Sequence, residues 1–205
     1  MAKAEVPEVV VARLPLYLRA LEYMAERGHD LVSSSALGAE AGVSPAQIRK
    51  DLSYFGEFGK QGLGYEVAYL RSQIQRILQL DHCWNMLLVG AGALGHALVN
   101  YRAFEGHHYR IVAVFDSDPA KVGQPIGHLV VEPMQGLCET IQAREVTIGI
   151  LAIPAESAQV VAEELVSCGI RAILNYAPIH LVLRPDVRVA YLDPVASLQS
   201  MSYFL

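Results

Sequence analysis

The hexapeptide Gly90-Ala91-Gly92-Ala93-Leu94-Gly95 spaces three glycines as GxGxxG, and Asp116 follows 21 residues after the last of them. Each residue has a job in holding a dinucleotide. Gly90 permits a tight turn out of a strand, Gly92 lets the backbone approach a pyrophosphate, and Gly95 lets helix and strand pack closely. A helix starting there offers unpaired N–H groups and its positive dipole end to the phosphates. Asp116 accepts hydrogen bonds from an adenosine ribose, and its charge disfavours a 2′-phosphate, so the chemistry is that of NADH and NAD+ rather than NADP(H). Glycine clusters also mark plain turns; the apolar strand before, the helix after and the acid beyond make this one a site. Two later strand ends, Ile153-Pro154 and Asn175-Tyr176-Ala177-Pro178, fall on the same carboxyl edge of the expected sheet, where ligands bind in such folds.

A second cluster points to different chemistry. Gln47, Arg49 and Lys50 follow the helix-starting pair Ser44-Pro45. Arg and Gln can bond bidentately to guanine and adenine edges, and Lys can reach guanine or phosphate. Ser44 and Tyr54 border this segment and are counted with the DNA-contacting residues. Arg13 and Lys60 are expected to meet backbone phosphates or the minor groove, which sets register without reading sequence.

No catalytic arrangement accompanies the nucleotide motif. Among the seven histidines, His29, His82, His96, His107, His108, His128 and His180, only His180 lies near a strand end beside the expected nicotinamide pocket, and its plain reading is a loop residue. His107-His108 has no partner ligands at metal spacing and reads as a solvated turn, so no metal site is expected. A dehydrogenase also needs a lobe to hold its substrate, and a nucleotide domain over residues 81–193 leaves no chain for one.

The elements that must position these residues follow from periodicity. Residues 7–28 read as a helix, with Val10, Leu14, Leu18, Leu21 and Ala25 at spacings of 3 and 4 and Gly28 as its cap. Pro15 predicts either a kink or a helix that begins near it. Ser33 caps a short helix to Ala41, Gly42-Val43 is a tight turn, and Ser44-Pro45 caps a second helix to about Phe55. In that helix Ile48, Leu52 and Phe55 point inward, while Gln47, Arg49, Lys50 and Ser53 point outward. This is a helix-turn-helix pattern. Gly56–Tyr65 holds four glycines in ten residues and reads as a hairpin, a wing with Lys60 at its tip. Residues 66–80 resume a helical period and form the link.

From Trp84 the pattern changes. Apolar strands at 86–89, 111–115, 147–153, 172–175 and 187–191 alternate with helices at 94–104 and 155–168. Strands buried on both faces and alternating with helices imply a parallel α/β sheet. The fold class is therefore α/β: an N-terminal winged-helix domain at 1–80, a Rossmann-like parallel-sheet domain at 81–193, and a C-terminal helix at 194–205.

Composition bounds the function. With 205 residues, 53% apolar and 18% charged, the chain can build a core. No apolar run reaches the roughly 18 residues needed to span a bilayer, and the start lacks a signal-peptide layout. Cys83, Cys138 and Cys168 are scattered, so a disulfide scaffold or zinc finger is not expected; they read as small buried hydrophobes in a reducing cytoplasm. The net charge of −5 divides unevenly: residues 1–80 carry 9 Lys+Arg against 9 Asp+Glu, and residues 81–205 carry 7 against 12. A neutral reading head is joined to an acidic body. Such a protein binds bare phosphate weakly, so specific binding is expected from a homodimer on two half-sites.

Over nearly its whole length the chain resembles the Rex family of bacterial redox-sensing transcriptional repressors. Gln47–Tyr65 is similar to the family's recognition helix and wing; GAGALG at 90–95, Phe115–Gly123 and Leu174–Pro178 follow in the family's order. The resemblance implies a homodimer that binds palindromic double-stranded operator DNA with NAD+ and releases it when NADH closes the body. It matches Arg49 and Lys50 to DNA-reading positions, adds Lys121 to the cofactor set, and matches Arg19, Tyr101 and Asp193 to a trio linking cofactor site, head and partner subunit. Pro194 stands where many members have a bulky aromatic near the nicotinamide. The C-terminal helix exchanged between subunits in the family would here be short, with Leu198, Met201 and Phe204 on one face. Two other readings compete: a small NAD-dependent oxidoreductase whose helical head only dimerises, and a nucleotide- or CoA-binding module without a DNA role.

Overall fold

A computed structural model describes residues 6–60 and 62–205; Gln61, within the stretch that resembles a recognition helix and wing, lies outside the described residues. The chain divides after Asp81 into two compact units.

The first unit opens with α1 (Glu8–Glu26), then β1 (Leu31–Val32), α2 (Ser34–Ala41), α3 (Pro45–Ser53), β2 (Gly59–Lys60), β3 (Gly64–Glu66) and α4 (Val67–Ile77). Local chemistry sets the α2–α3 pair. Ser33 accepts from the Ala36 N–H and Ser44 from the Gln47 N–H, so each side chain satisfies one orphan donor of its helix. Gly42 closes α2 in the left-handed region (φ 67°), which turns the chain into α3 within a few residues. α1 begins at Glu8 and passes through Pro15, whose ring lies on the exposed face; the helix neither starts near Pro15 nor depends on its missing N–H. Leu14, Leu18 and Leu21 of α1 pack with Leu37, Ile48, Leu52, Leu70 and Ile74 in one core. β1, β3 and β2 form a small antiparallel sheet whose β2–β3 hairpin is the wing.

The second unit runs β4 (Trp84–Val89), α5 (Ala93–Val99), α6 (Ala103–Gly106), β5 (Tyr109–Asp116), β6 (Pro125–Ile126), β7 (Leu129–Pro133), a 3-10 turn (Met134–Gly136), α7 (Leu137–Ala143), β8 (Ile148–Leu151), α8 (Ala155–Ser167), β9 (Ala172–Asn175), β10 (Arg188–Tyr191) and α9 (Pro194–Ser202). The seven strands lie in the order β10-β9-β8-β4-β5-β7-β6, parallel throughout except for the β6–β7 pair. Without β6 this is the doubly wound order 3-2-1-4-5-6, whose reversal falls between β4 and β8. Side chains alternate across β4. Leu87 and Val89 face the core shared with α7 and α8, whereas Met86 and Leu88 face the core shared with Leu98 and Phe104. Burial on both faces is why the strand reads as an unbroken apolar run.

Three expectations are corrected. The helix expected over 94–104 is two short helices, because the Asn100 side chain donates to the His96 carbonyl and ends α5. The strands β6 and β7 and the helix α7 went unread, since Leu129–Pro133 is short and half-exposed and carries little period-two signal. Cys138 and Cys168 are not scattered thiols but form a disulfide, 30 residues apart in sequence, while Cys83 is free; Cys83 and Cys138 are exposed rather than buried.

Candidate functional site

In the head, α3 presents Arg49 and Lys50 outward, both exposed, beside the wing residue Lys60. The Arg49 Nη1 donates to Ser34 Oγ at 2.8 Å, a bond from α3 to the start of α2 that holds the guanidinium near the wing groove. Tyr54 is half-buried at the helix end, and Ser44 is occupied as the cap.

Gln47 and Arg13 meet at one carboxylate. Both reach Asp51, which is fully buried (0% exposed). Arg13 forms a bidentate pair, Nε to Oδ2 at 2.6 Å and Nη2 to Oδ1 at 2.7 Å. Tyr17 OH donates to Oδ2 at 2.6 Å, and Gln47 Nε2 donates to Oδ1 at 2.6 Å. Burial pushes the Asp51 carboxyl up, but the hydrogen bonds from Arg13, Tyr17 and Gln47 and the Arg13 charge outweigh it and hold it below the usual carboxylate range. Tyr17 is pushed up, by burial first and then by its bond to Asp51. The quartet ties α1 to α3. In this structure Arg13 is the ion-pair partner of Asp51, and Gln47, half-buried on α3, reaches the same carboxylate. The sequence signal for this was Asp51 itself, a carboxylate on a basic helix four residues after Gln47.

In the second unit the crevice opens at the carboxyl ends of β4 and β8. Gly90 leaves β4 at φ 109°, and a β-carbon there would collide with the Ala152 carbonyl beyond β8. A β-carbon on Gly95 would strike the Gly90 carbonyl, so α5 packs directly beneath the turn. Gly92 has open space where its β-carbon would be, which leaves room for a phosphate beside the backbone. Ala91, Ala93 and Leu94 complete the loop, and the Ala91 N–H donates to Asp116 Oδ2 at 2.8 Å.

Asp116 ends β5 almost buried (8% exposed). Its Oδ2 also accepts from Lys121 Nζ at 3.0 Å, and its Oδ1 accepts from the Asp118 N–H at 2.9 Å. Burial pushes this carboxyl up, and the Asp118 and Ala91 N–H groups with Lys121 more than offset that and hold it low. A carboxylate has about four acceptor sites and three are filled, so capacity for a ribose hydroxyl remains. Lys121 is therefore placed on Asp116 in this structure. A cavity beside Asp116 is walled by Ser117, Pro119 and Val122, within the Phe115–Gly123 stretch singled out from the sequence, and by Pro133, Met134 and Gln135, which sequence reasoning missed along with β7.

The strand ends beyond Ile153 and Pro154 give the other half of the edge. Asn175 is buried with its amide fully engaged: Nδ2 donates to the Ala177 and Ile179 carbonyls at 3.1 and 3.0 Å, and Oδ1 accepts from the Ala177 N–H at 3.0 Å. These bonds shape the loop that carries Ala177 and Pro178. That loop, with Ile179, His180, Tyr191, Leu192 and Asp193, lines an open cavity. Tyr191 was not singled out from the sequence; its hydroxyl lies 3.0 Å from His180 Nδ1 and accepts from the Leu181 N–H at 3.1 Å. Tyr101, exposed, packs edge-on against Phe104; burial first, and then charge repulsion from Tyr101, pushes the Tyr176 phenol up. Asp193 caps α9, accepting from the Val195 and Ala196 N–H groups at 2.9 and 3.2 Å. Arg19 is exposed on α1.

A winged helix-turn-helix in one unit and a glycine-turn crevice at the switch point of a doubly wound sheet in the other define a DNA reader joined to a dinucleotide-binding unit. Residues 5–53 match the family model described as a putative DNA-binding protein N-terminus, and residues 81–179 match the CoA binding domain model. The redox-sensing transcriptional repressor Rex of Chloroflexus aurantiacus is 53% identical over 97% of this chain and 94% of its own length. Rex of Brevibacillus brevis is 45% identical over 100% of both chains. Among solved structures, the Rex-family repressor RSP in complex with β-NAD+ and operator DNA has a TM-score of 0.92 at 38% identity, covering 98% of this chain and 92% of that one. RSP with β-NADH has a TM-score of 0.86 at 36% identity, covering 97% and 93%. The chain belongs to the Rex family of redox-sensing transcriptional repressors. It is a repressor and not an enzyme, and the oxidoreductase alternative falls with the full-length likeness to proteins named as repressors. Among the described residues no helix is long and apolar enough to cross a membrane, and no group of His, Cys, Asp or Glu is arranged to hold a metal.

Proposed function

We propose that this protein is a cytoplasmic homodimer that holds a palindromic operator when NADH is scarce and releases it when NADH binds. The observation that carries the reading is one chain joining a winged helix-turn-helix to an Asp116-gated glycine crevice, with full-length likeness to named redox-sensing repressors. Arg49, Lys50 and Lys60 meet the DNA. The Gly90–Gly95 turn and the first N–H groups of α5 take the pyrophosphate, Asp116 takes the adenosine ribose, and the 175–178 loop borders the nicotinamide end.

A ligand moves an equilibrium between two forms only by its differential affinity for them. The two redox states of the cofactor differ at the nicotinamide ring, which is positively charged in NAD+ and neutral in NADH. Ala177, Pro178, Ile179 and Leu192 give the cavity at that end an apolar wall, and His180, Tyr191 and Asp193 give it a polar one. Arg19, Tyr101 and Asp193 are proposed to pass the difference to the head and the partner subunit. NADH is expected to weaken operator binding by about tenfold or more, which is about 1.4 kcal/mol of coupling. Titrating NADH and NAD+ separately against a labelled operator tests this; equal effects of the two, or none, would overturn it.

A further inference from the structure

The second unit contains a bonded cysteine pair that the cofactor site does not use. Cys138 lies in the first turn of α7 and is exposed; Cys168, at the C-terminal cap of α8, is buried among Leu137, Ile141, Ala162 and Leu165. Their Cα atoms are 4.8 Å apart, within the range a disulfide spans. One partner can be reached from solvent and the other is held in reserve beside it. A repressor of this family works among DNA, where thiols are kept reduced and disulfides are usually transient or sensory.

The position of the bridge links it to the nucleotide site. α7 is entered directly from Pro133, Met134 and Gln135, which wall the cavity beside Asp116. Cys138 is three residues beyond that wall. The bridge therefore pins the wall segment to α8, whose first residue follows Pro154 at the crevice rim.

We propose that Cys138 and Cys168 are a reversible thiol–disulfide site, a second redox input that tightens the nucleotide cavity when oxidised. With a peroxide as oxidant, the Cys138 thiolate attacks the O–O bond and becomes a sulfenic acid, releasing one water after protonation. The Cys168 thiol then attacks the Cys138 sulfur and expels a second water, so two thiols and one peroxide give one disulfide and two waters. A small thiol reverses it by attacking the exposed Cys138 sulfur, and a second thiol resolves the mixed disulfide. Fixing the wall in place removes part of the ordering cost of binding, so the bridged form binds NADH more tightly.

The test uses the full chain. Free thiols are counted after treatment with hydrogen peroxide, then with excess reduced glutathione, and NADH is titrated into both forms. The count is expected to fall from three to one, Cys83 alone, and return to three. The dissociation constant for NADH is expected to be about fivefold higher in the reduced form. Cys138→Ser and Cys168→Ala should behave as the reduced form under both treatments, and if either fails to fold, the wild-type titration still decides. A count that stays at three after peroxide, or at one in glutathione, overturns the proposal, as does equal NADH affinity in the two forms. The affinity effect rests on the proposed cofactor reading: no NADH binding in either form overturns both, whereas equal binding overturns this inference alone.

Discussion

Replacing Asp51 by Asn tests whether the buried quartet holds the reading helix. In the native protein the two carboxylate oxygens accept four donors, two from Arg13 and one each from Tyr17 and Gln47. An asparagine of the same shape keeps one acceptor oxygen, which still serves Arg13 Nη2 and Gln47. Its amide nitrogen can donate to Tyr17, because a hydroxyl also accepts, but it then faces Arg13 Nε as donor to donor. One charge-assisted bond is lost and the remaining bonds lose the anion, which together is about 3 kcal/mol. For a unit the size of the head this is about 12–24 °C in the melting midpoint of that unit. Operator affinity, measured well below that midpoint, should also fall, because α3 loses its tie to α1; Tyr17→Phe should give a smaller loss of both, about 1 kcal/mol of stability. The sign of the pH dependence is fixed by the lowered carboxyl: its contribution is present above the unfolded value of about 4 and disappears as pH falls through the lower folded value. D51N should lack that acid-side loss. Thermal scans across pH and a labelled-operator titration measure these effects. An unchanged midpoint and unchanged affinity in D51N would refute the assignment of a positioning role to Asp51.

Arg49→Ala and Lys50→Ala should each weaken operator binding by about 1–3 kcal/mol while leaving the melting midpoint nearly unchanged, as read by operator titration and thermal scan. Gly95→Ala places a β-carbon against the Gly90 carbonyl and should reduce NADH affinity tenfold or more in a fluorescence titration. Asp116→Asn removes the anion that orders the Ala91 N–H and Lys121; NADH affinity should fall, and the preference for NADH over NADPH should shrink in paired titrations.

The features legible from the sequence were those whose cause is local. Ser33 and Ser44 announce their helices because a hydroxyl three residues ahead of an N–H is a cap wherever the chain goes. Gly90 and Gly95 announce the turn because one leaves the strand at positive φ and the other packs against the Gly90 carbonyl five residues back. The unbroken apolar run of β4 announces a strand covered on both faces, and Asp116 follows at the end of the next such strand.

The tertiary structure decided which distant groups became neighbours. Arg13 and Asp51 are 38 residues apart, and only the packing of α1 on α3 brings Arg13 and Gln47 together on one buried carboxylate. The approach of α7 to the end of α8 made a bonded pair of two thiols that looked unrelated. The end of the half-exposed β7 and the 3-10 turn after it brought Pro133, Met134 and Gln135 to the Asp116 cavity without a periodic signal. Caps, turns and strand burial are written in short-range residue types. Ion pairs, disulfides and cavity walls depend on how elements are ordered in space, and a buried charge or thiol is assigned by the partner it meets there.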